Sequence, residues 1–208
     1  DANAQGIAET YSIGGNYSNL FNSKKIEFNA NTAISDVERN NNSISFTQNL
    51  TPGNQFNRSS ISNSINRNQQ QSFGSTIDHK VTETFSYKFT PSLSWQQTSS
   101  SSEDTTLTRL GLDANGAISN RNTTAASSIS DAVNASSNLL LRKKFAKKGR
   151  TISSTITQSY NQSNSTGSQY TSQFFYAGGL LTSDSILDQQ NIRKGNTTSY
   201  SANVIYTE

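Results

Sequence analysis

The sequence predicts an all-β protein: an antiparallel up-and-down β-barrel of the transmembrane type, or part of one, with about nine strands. Three observations predict it. Apolar residues recur at period two, the spacing that puts alternate side chains on opposite faces of a strand. The polar remainder is rich in Asn, Ser and Thr; Ser and Asn compete with helical hydrogen bonds, while Thr, Tyr and Phe favour strands. The connections between candidate strands alternate between short and long, as in membrane barrels with tight turns on one side and long loops on the other.

The strands follow in order. Ala8–Leu20 carries Tyr11, Ile13 and Tyr17 in phase. Lys25–Ile34 carries Ile26, Phe28, Ala30 and Ile34, and Ser43–Leu50 carries Ile44, Phe46 and Leu50. Gln55–Asn66 has a weak apolar face of Ile61 and Ile65, and Gln71–Lys80 has Phe73 and Ile77. The clearest strand has Tyr87, Phe89, Leu93 and Trp95 against Lys88, Thr90, Ser92, Ser94 and Gln96. Ser136–Phe145 and Thr151–Asn164 flank a basic turn, and Thr197–Thr207 closes the series with Tyr200, Ala202, Val204 and Tyr206.

Four connections read as short: Phe21–Lys24, Thr51–Asn54, Thr82–Ser86 and Ala146–Arg150. Thr51-Pro52-Gly53-Asn54 and Lys147-Lys148-Gly149-Arg150 have plain turn chemistry. Ser35–Asn42, Arg67–Gln70, Thr98–Ala135 and Ser165–Asn196 read as longer polar loops. Only two Pro occur, so long ladders are expected to run unbroken. Phe21, Phe28, Phe56, Phe85, Tyr87 and Phe145 cluster beside the short turns, the placement of an interfacial aromatic girdle.

Composition narrows the classes. Hydrophobic residues make up 31% of the 208, sparse for a water-soluble core of this size. Disorder is opposed by eight Tyr and ten Phe, by a net charge of only +3, and by the regular spacing. The absence of Cys excludes disulfides and thiolate chemistry. The mild basic excess argues against nucleic acid as a partner. No stretch approaches the ~20 apolar residues of a membrane-spanning helix. The opening Asp1-Ala2-Asn3-Ala4 has no basic and apolar leader, as expected of mature or excised sequence.

No catalytic constellation is expected, and no cofactor or metal. His79 is the sole histidine and has no sequence partner for acid–base chemistry. Asp113-Ala114-Asn115-Gly116 reads as a turn, because the remaining ligands of a calcium loop are missing. Gly14-Gly15 reads as a strand irregularity and Gly178-Gly179 as a loop hinge. Asn16, Asn57, Asn122 and Asn196 head glycosylation-type triplets, which chance supplies in a chain this rich in Asn and Ser.

Two candidate surfaces stand out. Lys143, Lys144, Lys147, Lys148 and Arg150 form a basic hairpin, either a contact for anionic lipid headgroups or phosphate at a membrane edge or a solvated turn that deters edge pairing. The segment Tyr170–Leu187, read as a loop, carries Tyr170, Phe174, Phe175 and Tyr176, either a ligand or partner contact or a local hydrophobic cluster.

Three stretches carry a family resemblance: Thr76-Ile77-Asp78-His79-Lys80-Val81 with Lys88-Phe89-Thr90-Pro91-Ser92-Leu93-Ser94-Trp95-Gln96, then Leu141 to Thr151, then Thr198 to Glu208. Over about 76–208 the chain resembles the outer-membrane β-barrel family related to TonB-dependent receptors. The resemblance implies a Gram-negative outer-membrane location and a role in uptake or in a surface complex, with outer-membrane lipid and other outer-membrane or surface lipoprotein subunits as partners. Members of that family are longer and carry a plug and an N-terminal domain, so the resemblance implies a segment of one β-barrel, residues 1–208. The alternative reading of the residues is a soluble extracellular β-sandwich, an adhesin or glycan-binding module.

Overall fold

The computed structural model describes residues 6–113 and 115–208. The expectations for Asp1–Ala4 and for Ala114 therefore lie outside the described residues. The rest forms one antiparallel sheet in strict meander order, each strand beside the next in sequence. The strands are β1 (Ile7–Phe21), β2 (Ile26–Asn49), β3 (Phe56–Lys80), β4 (Phe85–Leu110), β5 (Ile118–Lys144), β6 (Thr151–Ala177) and β7 (Leu180–Thr207).

All-β, antiparallel architecture is as the sequence predicts, but the strand count is seven, not nine. The reason is strand length: β2 to β7 each span 24 to 28 residues. Ser35–Asn42 and Arg67–Gln70, expected to be loops, lie within β2 and β3, where Ser35–Glu38 pair with Arg67–Gln70 and Arg39–Asn42 with Asn63–Asn66. Polar side chains there look like loop sequence, yet hydroxyls and amides do not interrupt a ladder whose bonds are all main-chain. The expected Thr98–Ala135 and Ser165–Asn196 loops are likewise strand, apart from the 111–117 turn and Gly178-Gly179.

The alternation of short and long connections is therefore overturned. Every connection among the described residues is tight. The four predicted short turns are all present, but not all at one end. Those near Phe21, Thr82 and Ala146 share an end of the sheet, while Thr51–Asn54 lies at the other with the 111–117 and 178–179 turns. Phe56 accordingly leaves the expected girdle.

The turns obey local rules. Gly178 and Gly179 have φ of +59° and +82°, the double left-handed geometry of a two-residue hairpin. They are thus a turn that joins two paired strands, and not a hinge within a loop. Gly179→Val is expected to lower stability by about 1–2 kcal/mol, seen as a lower denaturant midpoint, because a β-branched side chain resists positive φ. In the 111–117 turn the Asn115 amide donates to Asp113 Oδ1 at 2.9 Å. Asn57 Nδ2 donates to the Asp113 carbonyl at 2.6 Å, and Asn57 is the most enclosed side chain described, 1% exposed.

Two further expectations change. Gly14 and Gly15 pair in register with Ala33 and Thr32, with no irregularity. Pro91 sits in central β4, and β3–β4 pairing lapses beside it between Gly74 and Ile77. Proline lacks the N–H that the ladder needs there, so the ladder is broken locally despite the low proline content.

No hydrophobic residue among the described ones is buried. The sheet is a single layer, so it has two open faces. A sandwich would need a second sheet, and the described residues supply none.

Candidate functional site

In an antiparallel pair, residues opposite one another point to the same face. The register therefore sorts side chains into cross-strand rows. One row runs Phe28, Ile77, Phe89, Leu139, Ile156, Ala202 from β2 to β7, entirely apolar. A second runs Ile26, His79, Tyr87, Leu141, Ser154, Val204, nearer the end that holds the Phe21 turn. A third, further from that end, runs Thr32, Phe73, Leu93, Ala135, Tyr160, Thr198. Together these rows make a belt on one face. Between the first and third rows, the same face carries Ala30, Ser75, Pro91, Ser137, Gln158 and Tyr200, so the belt is predominantly, not wholly, apolar.

The opposite face at the same height is polar. Asn31, Gly74, Ser92, Ser136, Ser159 and Ser199 form one of its rows. Ser92 and Ser136 hydroxyls are 2.7 Å apart, as are those of Ser159 and Ser199. Asn138 Nδ2 donates to Thr157 Oγ1 at 3.0 Å. The Leu139-Leu140-Leu141 run shows the sorting: Leu139 and Leu141 join the belt and Leu140 faces the polar side, beside Lys88.

Aromatic residues border the belt. At the turn end, His79 and Tyr87 rings meet edge-on at 5.3 Å, with His79 Nδ1 3.3 Å from the Tyr87 hydroxyl. Tyr17 and Phe28 pack at 6.1 Å, and Phe145 meets Tyr206 at 6.3 Å. The far border is Tyr11, Trp95, Tyr160 and Tyr200. It is oblique to the strands. Tyr11 pairs with Asp36, whose row continues through Gln69, Gln97, Asp131 and Asn164 to Lys194. Trp95 lies two residues nearer the turn end than that row, Tyr160 four and Tyr200 six. The border descends by about one residue per strand. At ~3.3 Å per residue and ~4.8 Å between strands, that slope corresponds to strands tilted by about 35° from the normal to the border.

Polar and charged groups begin just past this border. Arg67 binds Asp36 through two hydrogen bonds, at 3.0 and 2.6 Å, and Gln69 adds a third at 3.1 Å. The Arg67 hydrogen bond, aided by Gln69, holds the Asp36 carboxyl at about 2, below its ordinary 3.8. Gln97 Nε2 donates to Asp131 at 2.8 Å in the same row. The charged groups thus begin here, although single isoleucines such as Ile129 and Ile192 continue on the same face beyond them.

The belt has no cover in the chain. Tyr11 and Tyr200 are each 71% exposed, and Ile13 is too. Exposed apolar area on this scale is what interaction surfaces and lipid-facing surfaces have in common.

The sequence-predicted surfaces fall at opposite ends. Lys143 and Lys144 end β5, and Lys147, Lys148 and Arg150 lie in or at the following turn, beside the belt's aromatic edge. Arg150 is ion-paired with Glu208. Tyr170, Phe174, Phe175 and Tyr176 lie on β6 near the far end, not on a loop. Phe174 and Phe175 point to opposite faces, since Phe174 pairs with Arg121 and Phe175 with Asn120. Tyr170, Phe174 and Tyr176 therefore share one face of β6, and Phe175 lies on the other.

Sequence reasoning found the alternation in each strand but missed the rows, because register is not visible within one strand. No family model matches the chain, and no curated protein matches its sequence.

Proposed function

We propose that this chain is wall of an outer-membrane β-barrel, serving uptake or a surface complex, with the belt in the bilayer and the hydroxyl-rich face toward the lumen. The observation that carries this reading is the belt itself: apolar on one face only, edged with aromatics, and slanted. On β4 it runs from Phe85 to Trp95, which at ~3.3 Å per residue and a tilt of about 35–45° gives roughly 25 Å, the height of a barrel's apolar band. The slope of the aromatic border gives about 35°, within the ~35–45° tilt of such strands, and it is this tilt that enters the height.

The remaining length of each strand stands beyond the belt, on the side away from the basic turns. With tight turns throughout, any ligand selection falls to these strand extensions and not to long loops. The likeness to barrels related to TonB-dependent receptors remains part of this proposal and rests on the sequence strings alone.

Closure needs more than these strands. β1 and β7 both run toward the Phe21 end, so joining them would make a parallel seam in an otherwise antiparallel sheet. Partner strands that meet both edges would keep every pairing antiparallel.

Nitroxide labels placed singly along Tyr87–Gln96 test the reading in reconstituted vesicles. Labels at Tyr87, Phe89, Leu93 and Trp95 are expected to be accessible to oxygen, and those at Lys88, Thr90, Ser94 and Gln96 to a water-soluble relaxant. Uniform water accessibility along both sets would remove the bilayer from the account.

A further inference from the structure

We infer a phosphate-binding site at the turn end, in a cavity of about 810 Å³ between the β3–β4 turn and the ends of β5 and β6. Five cationic side chains line it: Lys25, Lys80, Arg142, Lys143 and Lys144. A single carboxylate, Glu83, lines it with them. Hydroxyl donors stand among the cations at Thr82, Thr84 and Ser153. Ammonium groups, a guanidinium and hydroxyls are the donor set that recognises a phosphate monoester or diester.

The surroundings strengthen the case. Residues 20–29, 76–89, 140–153 and 203–208 hold ten of the 17 Lys and Arg but only four of the 14 Asp and Glu. The rest of the chain is acidic in balance, so positive potential is concentrated around this cavity. Local acids offset it only in part. Asp78 holds Arg142 at 3.1 Å, which leaves four lysines and Glu83 unpaired in the described lining, and Glu208 is engaged outside it by Arg150 and Lys147. Among the described residues, Lys25, Lys80, Lys143 and Lys144 have no carboxylate partner.

The walls are fixed by main-chain bonds. The Lys80 amide donates to the Lys25 carbonyl at 2.8 Å, and the Lys144 amide to the Thr84 carbonyl at 2.8 Å. Lys143 Nζ reaches Thr84 Oγ1 at 3.3 Å, which places that ammonium over the turn. Three strand ends and two turns are thereby tied into one basic cup. Its cations Lys80, Arg142 and Lys144 lie on the face opposite the belt or at its very end, so the cup stands whatever covers the belt.

The phosphate group has two possible sources, a free phosphate ester in solution or a lipid headgroup from the adjoining leaflet. The test uses the 208-residue chain folded in zwitterionic detergent and titrated with inorganic phosphate. In parallel, the chain is bound to phosphatidylcholine vesicles with and without phosphatidylglycerol. Lys80→Gln with Lys144→Gln is expected to weaken binding by about tenfold, from the loss of two charge-assisted donors, while Lys194→Gln at a distant position changes nothing. Loss in the phosphate titration supports the site with a soluble ester, and loss only with phosphatidylglycerol supports it with a headgroup. Lys80→Arg with Lys144→Arg is expected to keep binding, which separates lost charge from a damaged fold. Failure of the unaltered chain to bind either probe, or unchanged binding in the Gln variant, overturns the site. The titration in detergent does not require insertion, so it can fail or succeed separately from the bilayer reading.

Discussion

Leu139→Arg is expected to destabilise the protein in lipid by about 2–4 kcal/mol, the cost of a charge on a barrel's lipid face near the bilayer midplane. Leu139 is the right position because its row is the one without a polar member: Phe28, Ile77, Phe89, Leu139, Ile156 and Ala202. It also lies in mid-belt, paired with Phe89 between the Phe85 and Trp95 limits. On the proposed bilayer placement, an arginine there reaches neither border without bending along the hydrocarbon. The control is the neighbouring residue. Asn138→Arg puts the same charge at the same height on the hydroxyl-rich face and is expected to cost less than about 0.5 kcal/mol. Urea unfolding in vesicles reads both. Equal costs for the two substitutions would mean that the faces are not in different solvents, and the bilayer assignment would fall with that.

The fold was partly legible in the sequence, and the physical reason for each miss can be located. Period-two alternation identified β structure and the correct face of β4, because Tyr87, Phe89, Leu93 and Trp95 are large and their neighbours are polar. The same method failed at Ser35–Asn42 and Arg67–Gln70. There both faces are polar, so alternation has no contrast, and long strands look like strand–loop–strand. Main-chain pairing does not depend on that contrast once neighbouring strands hold the register. The Asp36–Arg67 pair shows this: both residues lie in loop-like sequence, and the ladder makes them diagonal neighbours across β2 and β3, Asp36 opposite Gln69 and Arg67 opposite Glu38.

The candidate sites divide in the same way. The basic hairpin was visible because its charges are contiguous in sequence. The basic cup was not, because Lys25, Lys80 and Lys144 come from three separate segments that only the meander unites. The aromatic segment from Tyr170 to Tyr176 reads as a loop but is strand: alternation puts Tyr170, Phe174 and Tyr176 on one face of β6 and Phe175 on the other. The oblique aromatic border needed register across all seven strands. No single segment contains a tilt.

Removal of detergent is expected to abolish cooperative folding of this chain. Ordering each residue costs ~1–2 kcal/mol in backbone entropy, and globular proteins offset it mainly by burying apolar side chains, at ~1.5–3 kcal/mol for each fully buried Leu, Ile or Phe. Among the described residues no hydrophobic side chain is fully buried, and those such as Phe89, Trp95 and Leu139 are only half-buried, so the chain alone supplies a reduced share of that offset. Its main-chain hydrogen bonds offset only part of the rest, at a net ~0.5–1.5 kcal/mol each, because the unfolded chain bonds to water instead. Detergent supplies an apolar phase for the belt, whose residues then leave water without needing a second layer of protein. Two outcomes are therefore expected: a cooperative, strand-rich state in micelles, and a self-associated state without a sharp transition in plain buffer. The exposed edges of β1 and β7 reinforce the second outcome, since long unpaired edges recruit other copies once the belt is uncovered. Circular dichroism with light scattering, recorded with and without detergent, distinguishes these states. A stable monomer in plain buffer, unfolding in one transition, would require a buried apolar layer that the sheet lacks, and would refute the assignment of the belt to hydrocarbon.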